Sequence, residues 1–576
     1  MPSPRVPALL CTALLATGAG AAPLPLDVIG LYLTGATPVA GGQGYQVGDT
    51  LALPGGASAT VSQTTTGNAI AAVTVRQPLM HACAPNQPVP VHAGGGSGAT
   101  LSLALLAPTG YGTRRLSQCY SGPAVTVRRS ANEPGMAIGF LPDGSLDSAS
   151  LDRYTAPPAT LQGYARFDSG VAPRVEAWHD QGGGGNDATQ PVAGKRPVLA
   201  GTRLHGNSRA LLFDAHAGAG EWDPADTFLR LPMGVALDAN RFTLAALAEA
   251  TSAFAPVGFI TVGAMAGKNA GLGFARHNTQ PTACEGGGDN VYAATVPTET
   301  PAVIICSADE QGKAIDMLGT HRSASGGNGA HLRGGALGQS GFNRSGLVNM
   351  SAAIIVPWPL DAATRAALAE SLAQSFGLAP PSGGVIVVLG DSHSDGSGAP
   401  FQQGWPAQML SQLGRADLQL VNAASYGGRL AAAVERWEQY ALPNLAASNS
   451  PNKLVILQGG YNDQQYGDSA AAILATYRRG AALAHAAGAK VVCVADVIRS
   501  APSATNRVVL EVNAALRAPL KGCDAVLDWA SEAAFSGQSG LYPPPYFASD
   551  QVHLSAEGQA RQARMAAKVV GKVLGF

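Results

Sequence analysis

Four short blocks in the last third of the chain hold residue types suited to acyl-transfer chemistry. They are Gly390-Asp391-Ser392, Asn422 with Gly427, Gly460 with Asn462 and Asp463, and Asp550 with His553. A serine hydroxyl is a poor nucleophile until a base takes its proton and donors hold the oxyanion that forms. His553 offers the base. Asp550 precedes it by three residues, so one short turn can set carboxylate against imidazole. Gly427 carries no side chain to keep its backbone N–H from a substrate oxygen, and the Asn462 amide can donate to the same oxygen. Each residue also has a structural use. Ser392 could cap a helix, Asn462 could shape a turn, and Asp550 could cap a turn beside a structural histidine. An inert site would need all of these uses to hold at once. His393 reads as a loop residue, and Asp391 and Asp463 read as hydrogen-bonding residues that shape the site.

The elements that must position these blocks are short apolar runs: Val385–Leu389, Leu418–Val421, Leu454–Leu457, Val491–Val494 and Ala525–Leu527. Ala- and Leu-rich stretches at 429–447 and 468–487 read as helices between them. Buried strands alternating with helices predict a parallel sheet covered on both faces. Such sheets bind ligands at the carboxyl ends of their strands, and the first three blocks follow strand ends.

In order and spacing, GDS at 390–392, N-x-x-x-x-G at 422–427, G-x-N-D at 460–463 and D-x-x-H at 550–553 resemble the SGNH/GDSL hydrolase family. The resemblance covers 385–576. It implies a C-terminal α/β three-layer, flavodoxin-like domain with Ser392 as nucleophile, His553 as base and Asp550 as its orienter. It also implies an oxyanion hole made by the Ser392 N–H, the Gly427 N–H and the Asn462 side chain, with no metal or organic cofactor. Ala424 departs from the glycine the family often has there. No G-x-S-x-G elbow is found, which argues against the α/β-hydrolase class.

The preceding regions have a different texture. Residues 28–108 are Gly-, Thr- and Val-rich with glycine turns, which predicts a small antiparallel β module. Its G-x-G-Y-x-V-G-D-T and GSGAT segments loosely resemble β modules of phage virion and other surface-exposed proteins. Residues 109–378 contain YGTRRLSQCYSGPAVTVRR and VEAWHDQGGGGNDATQ. Arg114, Arg115, Leu116, Tyr120, Gly122, Pro123, Val127, Arg128 and Arg129 carry the likeness in the first. Trp178, Asp180, Gln181 and Gly185 through Gln190 carry it in the second. Both resemble the opening of the arabinofuranosidase B catalytic domain, which implies a concanavalin-A-like β-sandwich. The family's catalytic carboxylates find no counterparts, so that activity does not carry over. Trp178 and Asp180 are candidates for sugar contact, or they fix a loop. The region closes on a strand and an amphipathic helix, and APPSGG at 379–384 reads as a linker.

The chain has 576 residues, 13% of them charged, with net charge −1 and no long basic run, so counterion release offers no drive for nucleic-acid binding. No internal segment is apolar for the ~20 residues a membrane span needs. At the N-terminus, Arg5, a short apolar stretch and Ala19-Gly20-Ala21 read as a secretory signal over 1–21, or else as an apolar arm. Of seven cysteines, removal of Cys11 would leave six, an even number compatible with disulfides or with buried thiols.

These readings predict a secreted, periplasmic or cell-surface serine esterase. Its partner would be an O-acylated polysaccharide or oligosaccharide, from which it removes acetyl or other short acyl groups. Two competing expectations are a non-enzymatic glycan-binding adhesin or phage-like receptor-binding protein, and a lipolytic esterase.

Overall fold

The computed structural model describes residues 23–576 apart from 129–132, 156–172, 202–208, 214–226, 251–257, 264–268, 275–281, 287–290, 293–300, 318–319, 325–330, 339–347, 379–382, 398, 400–403, 416, 425–426, 499–503, 519–521, 536–545, 549 and 551. The expected signal and most of the expected linker lie outside the described residues.

Runs of Val, Ile and Leu near the C-terminus form five parallel strands: Gly384–Leu389, Leu418–Asn422, Lys453–Leu457, Lys490–Ala495 and Ala525–Asp528. Their order across the sheet is second, first, third, fourth, fifth. Every residue of Gly384–Leu389 is buried, because side chains alternate between two apolar layers. Val385, Val387 and Leu389 pack with Val434, Trp437, Ile473, Tyr477 and Leu516. Ile386 and Val388 pack with Trp405, Met409, Ala563, Ala566 and Val570 on the other face. Strand order reverses beside the first strand, which opens a crevice at its carboxyl end.

The stretch 429–447, expected to be helical, is made of three helices: Leu430–Glu435, Trp437–Tyr440 and Leu442–Ala447. Pro443 sits in the first turn of the last, where its missing N–H and fixed φ start a helix but cannot continue one.

The middle of the chain is a large curled antiparallel sheet. All nine residues of Val348–Val356 are buried. This strand pairs with Phe242–Ala250 and with Thr109–Gly112, so the first and last strands of the region are neighbours. Ala353 and Ile355 enter one core with Trp178 and Phe242. Ala352, Ile354 and Val356 meet Leu368, Leu372 and Phe376 on the other side. The first two of those belong to the helix Ala362–Ser375, whose N-cap Asp361 accepts the Thr364 N–H at 2.7 Å.

Ahead of it lie a four-stranded sheet, with Leu31–Gln43 and Gly96–Leu106 at its centre, and a three-stranded sheet of Thr50–Ala52, Ser58–Thr64 and Ile70–Gln77. Both feed one core that includes Leu33, Tyr45, Leu51, Val61 and Leu101. The short helix Pro25–Ile29 does not join it. Leu26 and Ile29, three residues apart and so on one helix face, pack instead with Leu368 and Leu372.

Cys83–Cys119, Cys284–Cys306 and Cys493–Cys523 are disulfides. Among the described residues, no helix is long and apolar enough to cross a membrane.

Candidate active site

Ser392 opens a one-turn helix, Ser392–Asp395, directly beyond the first parallel strand. The N-cap Asp391 accepts the His393 N–H at 2.9 Å, which fixes the turn. Gly390 permits the approach of Gln458: a Cβ there would lie 2.5 Å from the Gln458 Oε1. A backbone N–H in the first turn of a helix has no intrahelical acceptor, and the Ser392 N–H holds that position.

The other blocks converge on the same sheet edge. Gly427 has φ +66°, a left-handed conformation that favours glycine, and the space its side chain would fill is open. Asn462 lies in the helix Tyr461–Gln465, and its Nδ2 donates to the Gly428 carbonyl at 2.9 Å. The second and third blocks are thereby in contact. Asp463 accepts the backbone N–H groups of Gly460, Leu430 and Ala431 at 3.1, 3.2 and 3.1 Å. One carboxylate thus holds the N-termini of two helices together.

His553 and Asp550 form the pair their spacing predicts. Nδ1 lies 2.5 Å from the Asp550 Oδ2, while Oδ1 accepts the backbone N–H of Val552 at 2.9 Å and of His553 at 3.0 Å. Burial works to raise the Asp550 pKa, but these hydrogen bonds outweigh it and hold the carboxyl below its ordinary value. His553 is pushed below the ordinary imidazole value, first by burial and also by the charge of His393, against the opposing hydrogen bond to Asp550. With Nδ1 tied to a carboxylate, Nε2 is the nitrogen placed for proton transfer. The His553 ring meets the His393 ring edge-on with centroids 6.0 Å apart, so the imidazole lies against the residue that follows Ser392.

His393 departs from its expected role as a loop residue. It is 3% exposed, because the helical turn that presents Ser392 points the next side chain inward. Its Nδ1 lies 3.1 Å from both carboxylate oxygens of Asp496. Gln458 donates through Nε2 to Asp391 at 2.8 Å and to Asp496 at 2.5 Å, and its Oε1 accepts the Asp391 N–H at 2.9 Å. Asn513 brackets the Asp496 backbone, accepting its N–H at 2.9 Å and donating to its carbonyl at 2.8 Å. Burial works against a charged His393, yet the carboxylates around it, Asp496 foremost, push it up to about 9. Burial raises Asp391 to about 6. Gln458 and Asp496 were not among the expected site residues. Their signal was a polar residue placed directly after a buried strand. Ligand atoms of Asp391, His393 and Asp496 lie within 4.8 Å of one another. Both carboxylates already accept N–H from Gln458, and Asp496 faces the imidazole Nδ1, an acceptor suited to an imidazolium N–H there; no cation is assigned.

The two residues expected as sugar contacts are placed otherwise. Trp178 is 0% exposed and packs on Tyr111 with centroids 5.8 Å apart. Asp180 is 3% exposed and accepts the backbone N–H groups of Gly110, Gly182 and Asn186. Neither presents a surface to a sugar: Trp178 packs in the core, and Asp180 fixes the glycine-rich loop. Nearby, Thr126, His179 and Asp187 form a hydrogen-bonded chain at 2.9 and 2.7 Å. Thr126 sits on a strand paired on both sides, an arrangement without the helix-start donors that surround Ser392.

Residues 388–561 match the model of the GDSL-like Lipase/Acylhydrolase family. That match supports an ester hydrolase. No curated protein matches the chain. Similar solved structures include that of TesA, 26% identical, covering 33% of this chain and 99% of that one, with a TM-score of 0.27. The psychrotrophic esterase EstA from Pseudoalteromonas sp. is 16% identical over 33% of this chain and 99% of its own, with a TM-score of 0.28. An arabinofuranosidase complexed with arabinofuranosyl-alpha-1,2-xylobiose is 15% identical over 46% of this chain and 62% of its own, with a TM-score of 0.34.

Proposed function

We propose that this chain is an exported serine esterase of the SGNH type that removes acetyl or other short acyl groups from an extracellular polysaccharide. The observation that carries the reading is the His553–Asp550 pair, lying against the one-turn helix that Ser392 opens at the carboxyl end of a parallel sheet. In this scheme the Ser392 Oγ attacks the ester carbonyl while the His553 Nε2 takes its proton. The tetrahedral oxyanion is held by the Ser392 N–H, the Gly427 N–H and the Asn462 amide. Its collapse expels the alcohol, which receives the proton from His553. Water, activated by the same imidazole, then releases the acid and restores Ser392.

The strand order supports reading 385–576 as flavodoxin-like. We read 109–378 as a concanavalin-A-like sandwich and 28–108 as a surface module; both would hold the esterase on a polymer and raise its effective concentration there. The disulfides are compatible with an oxidising compartment. A lipolytic esterase is the second reading, favoured by the name of the matching family.

The test compares wild type and Ser392→Ala on p-nitrophenyl acetate through laurate, with acetylated xylan alongside. Acetate preference and acetate release from xylan, both lost in the variant, are expected. Laurate preference would favour the lipolytic reading. Wild-type turnover that survives in Ser392→Ala would overturn the assignment.

A further inference from the structure

The acyl-transfer scheme leaves His393 unused, although it adjoins the nucleophile. Its ring is buried. Asp391 and Asp395 flank it on its own helical turn. Asp496, beyond the fourth strand, lies 3.1 Å from its Nδ1. Tyr461 lies 5.8 Å from it and His553 6.0 Å, ring centre to ring centre. Gln458 ties Asp391 to Asp496, so the two carboxylates are held as a fixed pair. Buried carboxylates are costly unless a cation balances them, and among the described residues this imidazole, grouped with both carboxylates within 4.8 Å, can carry that charge.

We infer that His393 is a positioning residue: a buried imidazolium, fixed by Asp391 and Asp496, whose charge opposes protonation of His553 and keeps that ring in its base form in more acidic solution. Its consequence for turnover rests on the esterase reading above. Among the described residues, the charged groups whose charge acts on His553 include Asp550 from its own loop and His393 from the serine turn. The first favours the protonated ring and the second disfavours it, and burial adds to the second. Two unit charges about 6 Å apart, at an effective dielectric of roughly 20–40, shift a titration by roughly one to two pH units.

The test uses the full chain and imidazole C2 hydrogen–deuterium exchange, read by peptide mass spectrometry from about pH 4 to about pH 10, a range that brackets ordinary histidine titration. In wild type, His393 should titrate near 9 and His553 below 6.5. In His393→Gln, the His553 midpoint should rise by roughly one pH unit. The double variant His393→Gln with Asp496→Asn removes one charge of each sign; it serves if the single variant does not fold, and should give a rise in the same direction but smaller, because loss of the carboxylate charge partly offsets loss of the imidazolium. On p-nitrophenyl acetate, the acid limb of kcat/KM should move up with that midpoint. A wild-type His393 midpoint at or below 6.5, or a His553 midpoint unmoved in either folded variant, overturns the inference. If wild type turns over no ester, the esterase reading fails while the exchange midpoints still decide the role of His393. If Ser392→Ala is inactive but His393→Gln leaves the acid limb in place, the esterase reading stands and this one falls.

Discussion

Asp395 closes the turn that Ser392 opens. One of its carboxylate oxygens accepts from Ser397, at 2.7 Å from the backbone N–H and 2.5 Å from the hydroxyl, while the other is buried without a hydrogen-bond partner among the described residues. Burial raises its pKa to about 7. A carboxyl whose folded-state pKa exceeds its unfolded value gives full stability below the unfolded value, and that stability is lost as pH rises through the folded one. Asp395→Asn keeps an oxygen for Ser397 and cannot ionise. Relative to wild type, it should be neutral near pH 4 and more stable at about pH 8, by on the order of 4 kcal/mol. Melting temperatures of the pair at both values check this; a gain that does not grow with pH would refute it. At the oxyanion, Asn462→Ala should lower kcat/KM by about 10²–10³ with little change in melting temperature. The proposed nucleophile and oxyanion donors were legible because they follow buried apolar runs, and the proposed base and orienter because three-residue spacing lets one short turn pair them ahead of the last helix. His393 was not, since a lone histidine carries no periodicity and its inward direction is set by the turn geometry.

Among the elements, Asp463 has the widest reach. It accepts N–H groups from the starts of two helices, Leu430–Glu435 and Tyr461–Gln465, and so fixes the block that holds Asn462 against the segment that follows Gly427. Asp463→Ala leaves those donors unpaired. It should lower stability by about 2–4 kcal/mol and reduce kcat/KM as well, because both oxyanion segments lose their anchor. Calorimetry on the full chain, with ester turnover at a temperature where the variant is folded, separates the two effects. Unchanged melting would show that the helix starts find other acceptors. The five strands lay within one or two residues of their apolar runs, since a strand buried on both faces must be apolar throughout. The stretch 429–447 was legible as helical because Ala and Leu favour helix locally, but its division into three helices, the last starting at Leu442 with Pro443 in its first turn, was not. The helix Pro25–Ile29 was invisible: five residues carry too little pattern, and its partner lies more than 300 residues along the chain.

At the scale of the whole molecule, cysteine pairing was the feature the sequence left open, because six cysteines allow fifteen connectivities. The observed pairs are all local, separated by 36, 22 and 30 residues. They nevertheless act at different levels. Cys83–Cys119 joins the N-terminal strands to the start of the large curled sheet, so it couples two regions that otherwise have separate cores. Cys493–Cys523 lies within the parallel sheet unit, linking the fourth strand to the segment just before the fifth. Cross-linking a loop of 30 residues removes conformational freedom from the unfolded chain worth about 3–4 kcal/mol. Replacing Cys493 and Cys523 together by serine should therefore destabilise the hydrolase unit, shown by an earlier loss of ester turnover on heating. Replacing Cys83 and Cys119 should leave that inactivation temperature within a few degrees of wild type, because the N-terminal core is distinct from the cores that flank the parallel sheet. Non-reducing peptide mapping establishes the pairs first, and heat inactivation of the two double variants then ranks them. If both variants inactivate together and early, the regions unfold as one cooperative unit, and the N-terminal module would be part of the folding of the esterase rather than an appendage to it.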